Sequence, residues 1–130
     1  MKYVILIHSN PDPWGHPTQE FTAEGRQLSA AQHTAMNRDF EALMQEISES
    51  GEFVTAEALA DPVSATLFDW TPEGHLASEG PYAESKEHLA GFFLIDCATR
   101  ERAEEIAAHF AQPGGVVELR PAMWGGGDDQ

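Results

Sequence analysis

Apolar residues run unbroken from Tyr3 to Ile7 and stop at Asn10-Pro11. A short β-branched run with those bounds predicts a strand buried on both faces, central rather than at a sheet edge. Residues 9–25 hold Pro11, Pro13, Gly15, Pro17 and Gly25, which predicts a long irregular loop, functional or mobile. The pattern then changes period. Ser29 and Gln32 match a capping box, and Met36, Phe40, Leu43, Met44 and Ile47 follow at helical spacing up to Gly51. This predicts an amphipathic helix of about five turns whose Met and aromatic stripe belongs to the core. Phe53–Ala60 and Ser64–Trp70 read as strands, and Thr71-Pro72-Glu73-Gly74 supplies a turn into a returning strand over 75–78. Gly91–Cys97 is a second apolar run suited to a central strand. Thr99 caps a second helix marked by Ala103, Ile106, Ala107 and Phe110, which Pro113-Gly114-Gly115 ends. Val116–Leu119 is the last strand.

The order is strand, long helix, several strands, helix, strand. It predicts an α+β fold related to a ferredoxin-like β-α-β-β-α-β unit with an added β-hairpin. Residues 1–124 form one domain in this reading, and the Gly/Asp-rich segment 125–130 is a disordered tail. The two helices cover one sheet face only. Large apolar faces rarely stay exposed, so a homodimer is expected to cover the other.

Charge narrows the function classes. Seven Lys and Arg against 22 Asp and Glu give the 130 residues a net charge of −15 at pH 7. The basic residues do not cluster, so neither a nucleic-acid backbone nor an anionic membrane is an expected partner. No stretch is long enough for a membrane helix, and the first apolar run is too short for a signal peptide. Cys97 is the one cysteine, which excludes an intrachain disulfide and reads as a small buried packing residue. A cytoplasmic location is expected.

The segment Glu79-Gly80-Pro81-Tyr82-Ala83-Glu84-Ser85-Lys86-Glu87-His88-Leu89-Ala90-Gly91-Phe92-Phe93-Leu94-Ile95 resembles the signature of DGPF-domain proteins in the YCII-related superfamily. That signature reads approximately D-G-P-F-x-E-T-K-E-x-L-G-G-[FY]-x-[LI]-[IV]. Glu79, Tyr82, Ser85 and Ala90 stand where it has Asp, Phe, Thr and the first Gly of its pair. The opening 1–7 and the late Val117-Glu118-Leu119-Arg120-Pro121 also look like the family's first and last strands. The resemblance implies a ferredoxin-like sandwich pairing as a dimeric α+β barrel, with no general activity assigned. Genes of such proteins often neighbour those of extracytoplasmic-function sigma factors, which implies a regulatory setting. The wider superfamily includes proteins with a proposed His/Asp site in a pocket, and a dehydrochlorinase of chlorinated aromatic breakdown is similar to it.

The candidate chemistry gathers at the signature. Lys86, flanked by Glu84 and Glu87, keeps its charge easily and could hold an anionic ligand, or it could be part of a salt-bridged turn. His33 resembles in position the superfamily's proposed catalytic histidine. It could act as a general base oriented by Asp39 or Glu84, or be a solvated first-turn residue. His33, Lys86 and Glu84 are therefore the catalytic candidates, and His8, Tyr82 and Phe92 the ligand-binding ones. A metal site from His8, His16 and a carboxylate has no tight ligand spacing behind it, so neither metal nor cofactor is expected. Trp14, Trp70 and Trp124 could line a pocket for a flat organic ligand or simply pack. The preferred function is a small-molecule-binding protein or enzyme with its pocket between sheet and long helix, taking a small organic or anionic ligand by acid–base chemistry. The alternative is an acidic dimeric interaction module engaging a basic partner such as a sigma-factor-related protein.

Overall fold

The computed structural model of the chain describes residues 1–14, 19–80 and 87–123. The signature positions Tyr82, Glu84 and Lys86, together with His16, Trp124 and the tail 125–130, lie outside the described residues.

Strand β1 (Lys2–Ser9) leads through two short 3-10 turns, Gln19–Phe21 and Gly25–Gln27, into helix α1 (Ala30–Ser50). Strand β2 (Phe53–Ala58), the hairpin β3 (Thr66–Thr71) and β4 (Gly74–Glu79), and strand β5 (His88–Asp96) follow. Helix α2 (Arg100–Ala108) and strand β6 (Gly115–Pro121) complete the order. Four strands form one antiparallel sheet in the order β2-β5-β1-β6, while among the described residues β3 and β4 pair only with each other. Because β5 lies between β1 and β2, and β1 between β5 and β6, each helix bridges two parallel strands that are not neighbours. This interleaving is the ferredoxin-like arrangement, and the hairpin is the expected addition.

Local chemistry explains the helix ends. The Ser29 hydroxyl accepts from the Gln32 amide, and the Gln32 side chain accepts from the Ser29 amide, which completes the capping box. Gly51 ends α1 at φ 84°, where a β-carbon would be strained. Thr99 caps α2 by accepting from the Arg102 amide. Ser29→Ala is expected to cost about 1 kcal/mol in urea unfolding. No loss would remove the box from the account of how α1 starts.

Strand alternation sorts the sheet into two faces. Tyr3, Ile5 and Ile95 point towards the helices and pack with Leu43 and Ile47 of α1 and Ala103 and Ile106 of α2. Ile5, Ile47, Ile95 and Ile106 are fully buried. Val4 and Leu6 point the other way and are only half-buried. Burial of β1 on both faces was the expectation from its unbroken apolar run; within the chain, the helices cover just one. Its central position in the sheet is as expected.

Two bulges interrupt the ladders. One step along β1, from Ile7 to His8, corresponds to two along β5, from Gly91 to Leu89, so Ala90 is the extra residue. On β2 the extra residue is Val54, between Phe53 and Thr55. Phe110 lies just past the end of α2, where it is buried, and does not extend the helix as its spacing suggested.

Candidate functional site

A cavity of about 410 Å³ opens between the helix-covered sheet face and the N-terminal half of α1. Three aromatic rings form much of its wall. Phe93 and Phe110 lie 4.4 Å apart between centroids, and Phe40 meets Phe110 edge-on at 5.4 Å. Ile7 and Val117, partners across the β1–β6 ladder, extend the apolar surface. Asn37, Gln112, Ser9 and Thr22 bring polar groups to the lining. An apolar enclosure with a few polar groups is the usual form of a small-molecule site, and this volume lies in its usual range.

The sequence builds this space by leaving side chains out. Ala56 and Ala58 on β2, Ala90 and Gly91 on β5, and Gly115 on β6 all contribute to the lining. Gly91 is demanded by proximity: a β-carbon there would stand 2.7 Å from the Glu57 carbonyl oxygen on β2. The signature segment thus contains a bulge at Ala90 and a glycine at 91 that lets two strands approach.

Loops fix the rim. The buried Thr22 hydroxyl donates to the Pro113 carbonyl at 2.9 Å and accepts from the Gly25 amide at 3.0 Å. The Trp14 indole donates to the Leu59 carbonyl at 2.9 Å, pinning the loop after β1 to the end of β2. Buried Pro11 on the same loop lines the cavity.

The sheet separates the sequence candidates. His8 and Phe92 lie on the open face: Phe92 pairs with Leu6 and Glu57, and His8 Nε2 stands 3.6 Å from a Glu118 carboxylate oxygen. The ring in the cavity wall is that of the neighbouring Phe93. Glu57 shares the open-face register of Phe92, so its main chain, beside Gly91, is what borders the cavity. It is the one titratable residue of the lining among the described residues. His33 is half-buried on the α1 stripe that continues through Asn37 and Phe40, one turn beyond the lining. Asp39 lies on a different stripe, in a groove between α1 and α2 with Glu46, Arg102 and His109. Trp70 is 74% exposed on the hairpin, away from the cavity lining.

Sequence reasoning missed Arg102. Its guanidinium grips Glu52 through two bonds, Nε at 2.9 Å and an Nη at 3.0 Å, and reaches Glu46 at 2.6 Å and Glu105. This joins α2 to α1 and to the residue before β2. Hydrogen bonding to Arg102 holds the Glu52 carboxyl below its ordinary pKa, and the same bonds, Glu52's first, raise that of Arg102. Only the excess of acids around a rare cation hinted at such a clamp. Burial pushes the Cys97 thiol up, with nearby Glu52 adding to the effect, as suits a packing residue. Among the described residues no group of three or more His, Cys, Asp or Glu could hold a metal, and no helix is long and apolar enough to cross a membrane.

Comparison with known proteins adds a family and no activity. The YCII-related domain matches residues 1–123. An uncharacterised protein of Rhizobium meliloti (strain 1021) is 33% identical over 87 residues, covering 65% of this chain and 70% of that protein.

Proposed function

The chain belongs to the YCII-related domain family, and from that premise we propose that it binds a small organic ligand in the cavity between the sheet and α1. The observation that carries this reading is the ring-walled space of about 410 Å³ with polar groups on its lining. A cavity of roughly 150 Å³ admits benzene, so a compound of one or two rings is a reasonable size. His33 stands one turn from the lining and is the group we assign to proton transfer. Glu84 and Lys86 belong to the signature segment that leads into Ala90 and Gly91, and Tyr82 belongs with them as a ligand contact. In this reading Lys86 neutralises an anionic substituent while Glu84 accepts or returns a proton. His8 and Phe92 serve the opposite face, where the chain pairs with a second copy in the cytoplasm.

A thermal-shift screen against small organic acids and neutral ring compounds tests the site. A ligand at a hundred times its dissociation constant adds about 2.7 kcal/mol, several degrees for a chain of this length. The shift is expected to vanish in Ala56→Phe, because Ala56 pairs with Phe93 and a larger side chain there enters the cavity. It is expected to weaken in Lys86→Ala for anionic ligands only. A shift retained in Ala56→Phe would put the ligand elsewhere.

The second reading, an acidic module engaging a basic sigma-factor-related protein, draws on the charge of −15. Such a complex weakens with salt, since exposed charges are screened beyond about 10 Å at 0.1 M. A pull-down with no salt-sensitive partner would count against it.

A further inference from the structure

Of the polar residues on the cavity lining, Thr22, Ser9 and Asn37 are already engaged. The Thr22 hydroxyl donates to the Pro113 carbonyl and accepts from the Gly25 amide. The Ser9 hydroxyl reaches the Gly114 carbonyl at 3.5 Å, and Asn37 has an interaction of its own. Gln112 differs from them. It is half-buried at the lining, and among the described residues its carboxamide makes no hydrogen bond. Its main chain is held firmly, by contrast. The Gly115 amide donates to the Gln112 carbonyl at 3.1 Å. Gly114, at φ 84°, packs so close to the loop after β1 that a β-carbon there would stand 2.5 Å from Thr22 Cβ. A fixed backbone thus carries an uncommitted carboxamide at the cavity.

That group sets a requirement on any occupant. A half-buried carboxamide is hydrated, and a ligand that fills the cavity removes the water. A donor and an acceptor left bare would weaken binding by more than one exchanged hydrogen bond contributes, so the ligand must return one of each. The carboxamide presents its N–H and C=O side by side, as glutamine does when it pairs with the edge of adenine. Its complement is a ring with a donor and an acceptor on adjacent atoms. Among the described residues no charged side chain faces the cavity, because Glu57 turns to the open sheet face. The edge beside Gln112 is therefore neutral. The ring follows from the walls: Phe110 lies two residues before Gln112, with its centroid 4.4 Å from that of Phe93.

We propose that Gln112 is the specificity-determining residue of the cavity, and that the ligand is a planar heteroaromatic compound whose neutral cyclic-amide edge, an N–H beside a C=O, pairs with its carboxamide. The proposal rests on the cavity reading above and names the edge that is recognised. Lys86, in that reading, answers an anionic substituent elsewhere on the ring.

Calorimetric titration of the full chain with 2-quinolone and quinoline tests the edge. The two share one ring system, but quinoline lacks the N–H beside C=O. The quinolone is expected to bind about tenfold or more tightly, as for a two-point contact. Gln112→Leu should abolish that preference and leave both quinoline binding and the urea midpoint unchanged, since the side chain ties down no other part of the fold. Gln112→Glu presents acceptors alone. It should reject 2-quinolone and favour protonated 2-aminoquinoline, which offers donors alone. Ala56→Phe should lose every compound. Failure of both 2-quinolone and quinoline to bind the wild type would overturn the cavity and the edge together. Binding that is lost in Ala56→Phe, with no preference in the wild type or one retained in Gln112→Leu, would overturn the edge and leave the cavity standing.

Discussion

Gly91→Val is expected to destabilise the protein by about 3 kcal/mol, near the upper end of what overpacking costs. Gly91 is buried in β5, which is bonded to β1 on one side and β2 on the other. The first added carbon would meet the Glu57 carbonyl at 2.7 Å, and that oxygen belongs to backbone that cannot rotate away. The strands must separate locally. That threatens the Ala58–Gly91 register and the adjacent bond from the Leu59 amide to the Ala90 carbonyl. Because Leu59 also receives the Trp14 indole, the rim of the cavity loosens along with the sheet. Urea unfolding measures the loss, and Gly91→Ala should fall between valine and wild type. Wild-type stability in the valine variant would show that the close approach of β2 and β5 is not required.

The second large effect belongs to Arg102. Arg102→Met is expected to cost about 2–3 kcal/mol, between the values for exposed and buried ion pairs. The estimate is set by Glu52, whose side chain is 17% exposed against 26% for the arginine. Glu46 and Glu105 are about 60% exposed and contribute little, being screened by water. Removing the guanidinium leaves Glu52 ionised and half-desolvated in a chain already at −15. The pH dependence identifies the cause. The Glu52 pKa is lower in the folded chain than the ordinary 4.5. Its stabilising contribution is therefore full above about pH 4.5 and is lost as the pH falls through the lower folded value. Wild type and Arg102→Met should differ most near neutrality and converge in acid. A constant difference down to acid pH would assign the loss to packing of the arginine's aliphatic stem instead.

Features that local chemistry decides were legible in the sequence. The capping box at Ser29 and Gln32, the glycine at 51 and the threonine at 99 act within four residues of themselves, and the structure has all three. The hairpin follows in the same way from Pro72 and Gly74. The site was less legible. In Phe92-Phe93-Leu94-Ile95 every residue is apolar, so alternation does not say which ring faces the helices. The expectation chose Phe92 for ligand contact, whereas Phe93 lines the cavity. The other walls come from Phe40, Phe110 and Val117, brought together only by the crossover order of the sheet. Arg102 was opaque for a related reason: its principal partner, Glu52, is 50 positions away. The loop between β1 and α1 was expected to be irregular throughout, yet two 3-10 turns form there, tied by the Thr22 hydroxyl.

Methyl-resolved NMR titration with 2-naphthol and 2-naphthoate tests the central claim most directly. Ile7 and Val117 line the cavity, while Val4 and Leu6 of the same strand β1 lie on the opposite sheet face. The account predicts saturable shifts of the Ile7 and Val117 methyls with little change at Val4 and Leu6, and their loss in Ala56→Phe. Shifts confined to Val4 and Leu6, or none with either compound, would contradict a ligand site between the sheet and α1.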